Sequence, residues 1–134
     1  MKTLVLIILF FITLRAFCPE AKRLLIQRAE KIDPYKAIIS AIGKIESNSN
    51  ILAYNPFEEA TGIFQIRPIR LRDFNQRTGS NLKLKEMYEY AKAERVIRYY
   101  THVYGPYRTD EFIKSWNGRG RKTVEYLRRV KAAI

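Results

Sequence analysis

A single cysteine and a single histidine limit the chemistry open to this chain of 134 residues. Cys18 alone cannot close an intramolecular disulfide or build a cysteine metal cluster. His102 alone argues against a histidine zinc site and against a Ser-His-Asp triad, so its ordinary reading is a packed or solvated ring. Acid is also scarce: 13 Asp and Glu stand against 25 Lys and Arg, for a formal net charge of +12. That excess attracts polyanions, whether nucleic acid, an anionic membrane or an acidic polymer such as a bacterial wall, and charge alone does not choose among them. No repeat, low-complexity stretch or interdomain linker is visible, and the length fits one domain. No motif for a metal or an organic cofactor is present, so neither is expected.

What is present begins with an apolar run. Met1-Lys2 is followed by TLVLIILFFITL, Thr3 to Leu14, which falls short of the ~20 residues of a comfortable membrane span. It suits the apolar region of an export signal, with cleavage after Ala16, and the alternative is an uncleaved membrane anchor. Residues 1–17 are therefore read as signal peptide or N-terminal anchor, and 18–134 as one domain. Export to the periplasm, the cell envelope or the medium follows in either case. Removing residues 1–16 takes away Lys2 and Arg15 and no acid, so the exported domain stays strongly basic.

The rest predicts a mainly α fold. Pro19 to Ile32 has helical spacing. Asp33-Pro34 reads as a cap and first helical position for a helix running to about Ser47. Asn48, Asn50, Asn55 and Pro56 interrupt, and a short extended or hairpin piece is expected near residues 60–67. Pro68 to about Arg77, closed by Thr78-Gly79, predicts a short helix. Leu84 to Tyr104 predicts the longest one, with Met87, Tyr88, Ala91, Val96, Tyr99, Tyr100 and Val103 facing inward. Thr109 to Trp116 and Arg121 to Ile134 predict two more, joined by an Asn117-Gly118-Arg119-Gly120 turn.

Glu46 is the residue out of place. With Ile38 set at 0°, steps of about 100° put Ile42 at roughly 40°, Tyr35 near 60° and Ile39 near 100°. Glu46 falls at roughly 80°, inside the apolar stripe and away from Lys36, Ser40 and Lys44. Burial beside isoleucines and the negative end of the helix would both favour a protonated carboxyl, which is what a general acid at a glycosidic bond requires. The ordinary alternative is a C-terminal glutamate bending out to solvent.

Further motifs follow Glu46-Ser47 in order. They are Gly62-Ile63-Phe64-Gln65-Ile66-Arg67-Pro68, then Ser115-Trp116-Asn117-Gly118, then Tyr126-Leu127-Arg128-Arg129-Val130. Together they resemble the catalytic domain of lytic transglycosylases, a lysozyme-like family related to goose-type lysozyme, over residues 35–130. The resemblance implies a compact lysozyme-like helical domain. Within it, Glu46 would be the single acid and base, and Ser47 would orient the carboxyl or the sugar. Gln65 would line the cleft, Gly62 would permit close backbone approach, Asn117 would bind an N-acetyl sugar and Tyr126 would position Glu46. Trp116 stands where the family has tyrosine, and Gly118 directly follows Asn117, which makes that motif the weakest.

The implied partner is the peptidoglycan glycan strand, cut by a monomer between N-acetylmuramic acid and N-acetylglucosamine with 1,6-anhydro products. Two rivals are kept. One is hydrolysis of lysozyme type, with Glu58, Glu59 or Asp73 positioning a water. The other is a non-enzymatic module using Arg67, Arg70, Arg72, Arg119, Arg121, Lys122, Arg128, Arg129 and Lys131 to hold nucleic acid or wall. No helix-turn-helix, zinc-finger or RNA-recognition signature accompanies those charges, and export argues against a nucleic-acid partner. Contact of the N-terminal run with a membrane is the remaining expected interaction.

Overall fold

In a computed structural model, residues 33–134 are described. The apolar run, Cys18 and the helix expected over 19–32 lie outside them. Helix α1, Lys36–Ser47, starts two residues later than Asp33-Pro34 predicts. Tyr35 is its cap residue, and its carbonyl accepts the first helical bond from the Ile39 N–H at 2.9 Å. Pro34 and Tyr35 form a turn, so Tyr35 enters the core from the helix approach. At the other end Asn48 and Ser49 take left-handed backbone (φ 53° and 62°), and their N–H groups close on the Lys44 and Gly43 carbonyls. The asparagines stop the helix, as expected.

Two-residue strands follow. In β1, Tyr54–Asn55, Tyr54 pairs antiparallel with Thr61 of β2, Ala60–Thr61, and Asn55 pairs with Ala60. Thr61 then bridges Ile66 through reciprocal N–H to carbonyl bonds of 3.1 and 3.0 Å. The extended piece therefore begins upstream of the predicted stretch and ends in a tight 61–66 loop. Helix α2, Pro68–Thr78, opens on its proline and closes on left-handed Gly79. Both ends match the sequence signals.

The long helix expected from Leu84 is divided. A 3-10 helix, Leu84–Tyr88, precedes helix α3, Tyr90–Tyr104, with Glu89 extended between them (φ −89°, ψ 114°). The Glu86 carboxylate accepts from the Lys83 N–H at 2.7 Å and from Lys92 Nζ at 2.6 Å, so it serves a local cap and not a continuing turn. The break changes the inward face. Ala93, Val96, Ile97, Tyr100 and Thr101 are buried on α3, while Ala91 and Val103 are exposed. Both lie at the edge of or off the stripe that Ala93, Val96, Ile97, Tyr100 and Thr101 mark on α3, contrary to the inward face expected.

Helix α4, Thr109–Asn117, follows a 3-10 turn at Pro106–Arg108, and helix α5, Lys122–Ala132, follows the glycine turn. Helix, 3-10 turns included, accounts for 65% of the described residues, which makes the fold mainly α with a small hairpin. Phe64, Ile66, Phe74, Met87, Ile97, Phe112 and Val130 fill the core. Each large apolar side chain buried this way stabilises by about 1.5–3 kcal/mol before entropy is counted. Helix α5 packs on both α4 and α1. That double contact brings residue 126 to residue 46.

Candidate active site

Glu46 sits in the last turn of α1 on its buried side, beyond Ile39, Ile42 and Gly43. The side chain does not extend freely into water. Tyr126 of α5, only 5% exposed, donates its phenolic hydrogen to Glu46 Oε1 at 2.6 Å. Burial raises the Glu46 pKa above its ordinary 4.5, and nearby Glu58 pushes the same way. The Tyr126 hydrogen bond, Arg67 and Arg129 oppose without cancelling that rise. Tyr126 is itself held well above the ordinary tyrosine range, first by burial and then by the charge of Glu46, so it stays a donor. The result is a carboxyl biased toward its protonated form and fixed at one oxygen.

The 61–66 loop is tied down from three sides. Ser47 Oγ donates to the Ile63 carbonyl at 2.8 Å, with the Gly43 carbonyl 3.2 Å away. Its hydroxyl is thereby engaged in fastening the loop to α1, a role different from orienting the carboxyl or a sugar. Trp116 Nε1 donates to the Phe64 carbonyl at 3.1 Å, from α4. Gly62 (φ 78°) lies against the backbone of Met87, and a Cβ there would overlap the Met87 carbonyl oxygen. The close approach that Gly62 permits is thus within the protein. Gln65 holds a left-handed backbone (φ 48°) and donates Nε2 to the Gly62 carbonyl at 2.9 Å. A non-glycine residue there costs on the order of 1–2 kcal/mol, met here by the bridge at Thr61 and Ile66.

Arg67 is the residue that sequence reasoning underrated. It precedes Pro68, which keeps its backbone extended (φ −84°, ψ 153°). Its Nε lies 3.2 Å from Glu58 Oε2, and Nη2 donates to the Asn117 carbonyl at 3.2 Å. It also acts electrostatically on Glu46. One guanidinium therefore ties the hairpin loop to the end of α4 and acts by charge on the end of α1. Asn117 enters this arrangement through its backbone. The position of Arg67 inside the Gln65–Pro68 segment is its only sequence signal, and charge counting groups it with the arginines of the non-enzymatic binding module.

A cavity of about 360 Å³ opens beside this cluster, lined by Gln65, Arg67, Arg70, Asp73, Tyr100 and Trp116 among others. It shares Arg67, Arg70, Asp73, Tyr100 and Arg119 with a neighbouring cavity of about 730 Å³ that runs on to Tyr104 and Arg108. Gln65 faces this space; Glu46 and Asn117 are not among its walls, and Arg67, which borders it, bonds the Asn117 carbonyl and acts by charge on Glu46. Of the other carboxylates weighed from sequence, Glu58 is paired with Arg67. Asp73 accepts from Tyr100 Oη and Arg77 Nε, each at 2.7 Å, and those bonds hold its pKa below the ordinary value. Glu59 is exposed in the hairpin loop. Among the described residues no cluster of three or more His, Cys, Asp or Glu is arranged to hold a metal ion. No family model, curated protein or solved structure matches this chain.

Proposed function

We propose that the chain is a peptidoglycan-cleaving enzyme of the lytic transglycosylase type, with Glu46 as its single acid and base. The observation that carries this reading is the Tyr126–Glu46 hydrogen bond on a carboxyl whose pKa burial has raised. A neutral-pH general acid needs a proton to give, and a sugar leaving group needs that proton at a fixed point.

In the proposed reaction Glu46 gives one proton and takes one back. With Tyr126 on Oε1, Oε2 is the oxygen left to carry the proton toward the glycosidic oxygen. As the C1–O bond of the muramic unit breaks, the substrate's own N-acetyl oxygen stabilises the cation at C1. Tyr126, Arg67 and Arg129 favour the charge of the new Glu46 carboxylate and so offset part of the burial that disfavours it. That carboxylate takes the proton of the C6 hydroxyl, whose oxygen bonds to C1 and closes the 1,6-anhydro ring. Glu46 ends protonated as it began, and no water is consumed. Most glycosidases use two carboxyl groups. Here Glu58 and Asp73 are both engaged elsewhere, which favours the one-carboxyl route.

The test is digestion of purified peptidoglycan with mass identification of products, wild type beside Glu46→Gln. Anhydromuropeptides from the wild type, and a loss on the order of a thousandfold in the variant, are expected. Reducing-end sugars alone would move the enzyme to the hydrolytic class. Undiminished lysis by Glu46→Gln would remove the reading altogether. A DNA gel shift run in parallel separates it from a basic binding module: tight DNA binding without lysis would favour the module.

A further inference from the structure

We propose that the linked cavities bordered by Arg67 bind carboxylate groups carried on the glycan strand, with Arg119 and Arg70 as the recognising cations. The inference rests on the glycan-cleaving reading and adds to it a charge requirement on the substrate.

The larger cavity has five arginines in its walls, Arg67, Arg70, Arg77, Arg108 and Arg119, against one acid, Asp73. Asp73 is already satisfied by Tyr100 and Arg77. Arg67 is paired with Glu58, and Arg108 lies 3.9 Å from Glu111. Two cations are left over. Arg119 makes no ion pair or hydrogen bond among the described residues, although it borders both cavities. Arg70 is half-buried, and among the described residues its guanidinium makes one hydrogen bond, from Nη2 to the Ser115 carbonyl at 2.7 Å.

Arg70 is also held rigidly. Its guanidinium carbon stands 4.5 Å from the centre of the Trp116 ring and 4.9 Å from that of Tyr100. Stacking on two aromatic faces fixes the plane of the fork and keeps its remaining N–H donors in a set direction. Asp73, engaged by Tyr100 and Arg77, acts on Arg70 by charge without an ion-pair contact. A partly desolvated guanidinium with no carboxylate in contact is costly, and the cost is offset when a ligand supplies the anion. Two N–H groups in one plane match two carboxylate oxygens. The smaller cavity, about 360 Å³, has room for a side group of a polymer and not for a nucleic-acid duplex.

Carboxylates on such a strand have two sources, the stem peptide and the lactyl ether of the muramic unit. The experiment uses the full chain carrying Glu46→Gln, so that binding is read without cleavage. Three ligands are titrated calorimetrically: soluble strands with peptides, strands stripped of peptides (which frees the lactyl carboxylate), and stripped strands whose carboxylates have been amidated. Loss of binding on amidation supports the inference. Preference between the first two assigns the source. Arg119→Gln is expected to weaken carboxylated strands about tenfold and Arg119→Lys by less, with no effect on amidated ones. Arg119 lies in an exposed turn, so this variant keeps the fold even where Arg70→Gln does not. Equal binding of all three ligands, no binding of any, or an Arg119→Gln chain indistinguishable from its parent overturns the inference. Cleavage by the unmodified chain is measured separately, so the glycan reading can stand while this one falls, or fall while carboxylate binding persists.

Discussion

Tyr126 and Glu46 are 80 positions apart in the chain, and the phenol of one donates to the carboxyl of the other at 2.6 Å. The bond opposes what burial does to Glu46: burial raises the pKa, and the donor lowers it. Tyr126 thereby sets how far the carboxyl departs from an ordinary glutamate.

Tyr126→Phe removes the opposing donor and leaves the burial. The Glu46 pKa should rise further, seen directly by NMR titration of its carboxyl carbon. The limb on which activity falls with rising pH should move to higher pH, because the acid keeps its proton longer. A downward shift of either would show that Tyr126 is not the donor that matters.

The raised pKa also makes a stability claim. In the unfolded chain Glu46 titrates at its ordinary 4.5; in the folded protein it titrates higher. Between those values the native state binds more protons, so stability falls as pH rises through the folded pKa. Glu46→Gln, which retains an acceptor for Tyr126, should therefore melt above the wild type at neutral pH. The two should converge below about pH 4, where Glu46 is protonated in both states. Thermal melts at two pH values check this, and a variant less stable at neutral pH would contradict it.

Gly62→Ala combines a left-handed backbone with an overlap against the Met87 carbonyl, so about 3 kcal/mol of destabilisation is expected in urea unfolding. Gly79→Ala has a similar backbone (φ 66°) and open space around it. It should cost only about 1 kcal/mol. Equal costs would mean that the contact with Met87 contributes nothing.

Ser47→Ala frees the Ile63 carbonyl from its fastening to α1. About 1 kcal/mol of stability should be lost. In the proposed reaction KM should change by less than about twofold, since the hydroxyl is engaged by the loop. A large rise in KM with unchanged stability would return Ser47 to the substrate.

Much of the helical architecture was legible along the chain because its signals are local. Pro68 and Gly79 bound α2, the asparagines end α1, and Gly118 and Gly120 separate α4 from α5. Legibility failed where a distant contact decided the outcome. The break at Glu89 accompanies the packing of the Leu84–Tyr88 turn on β2, and the Asp33-Pro34 cap signal yielded to Tyr35.

The sequence by itself determined that a carboxylate would fall on the apolar side of α1, since helical periodicity fixes the face of every residue once the helix is granted. It also determined the excess of positive charge. Only the tertiary structure decided which groups meet that carboxylate, which hydroxyl serves a loop, and that Arg67 ties the hairpin loop to the end of α4. Those outcomes depend on side chains 16 to 80 positions apart being packed together. No periodicity along the chain encodes contacts of that range.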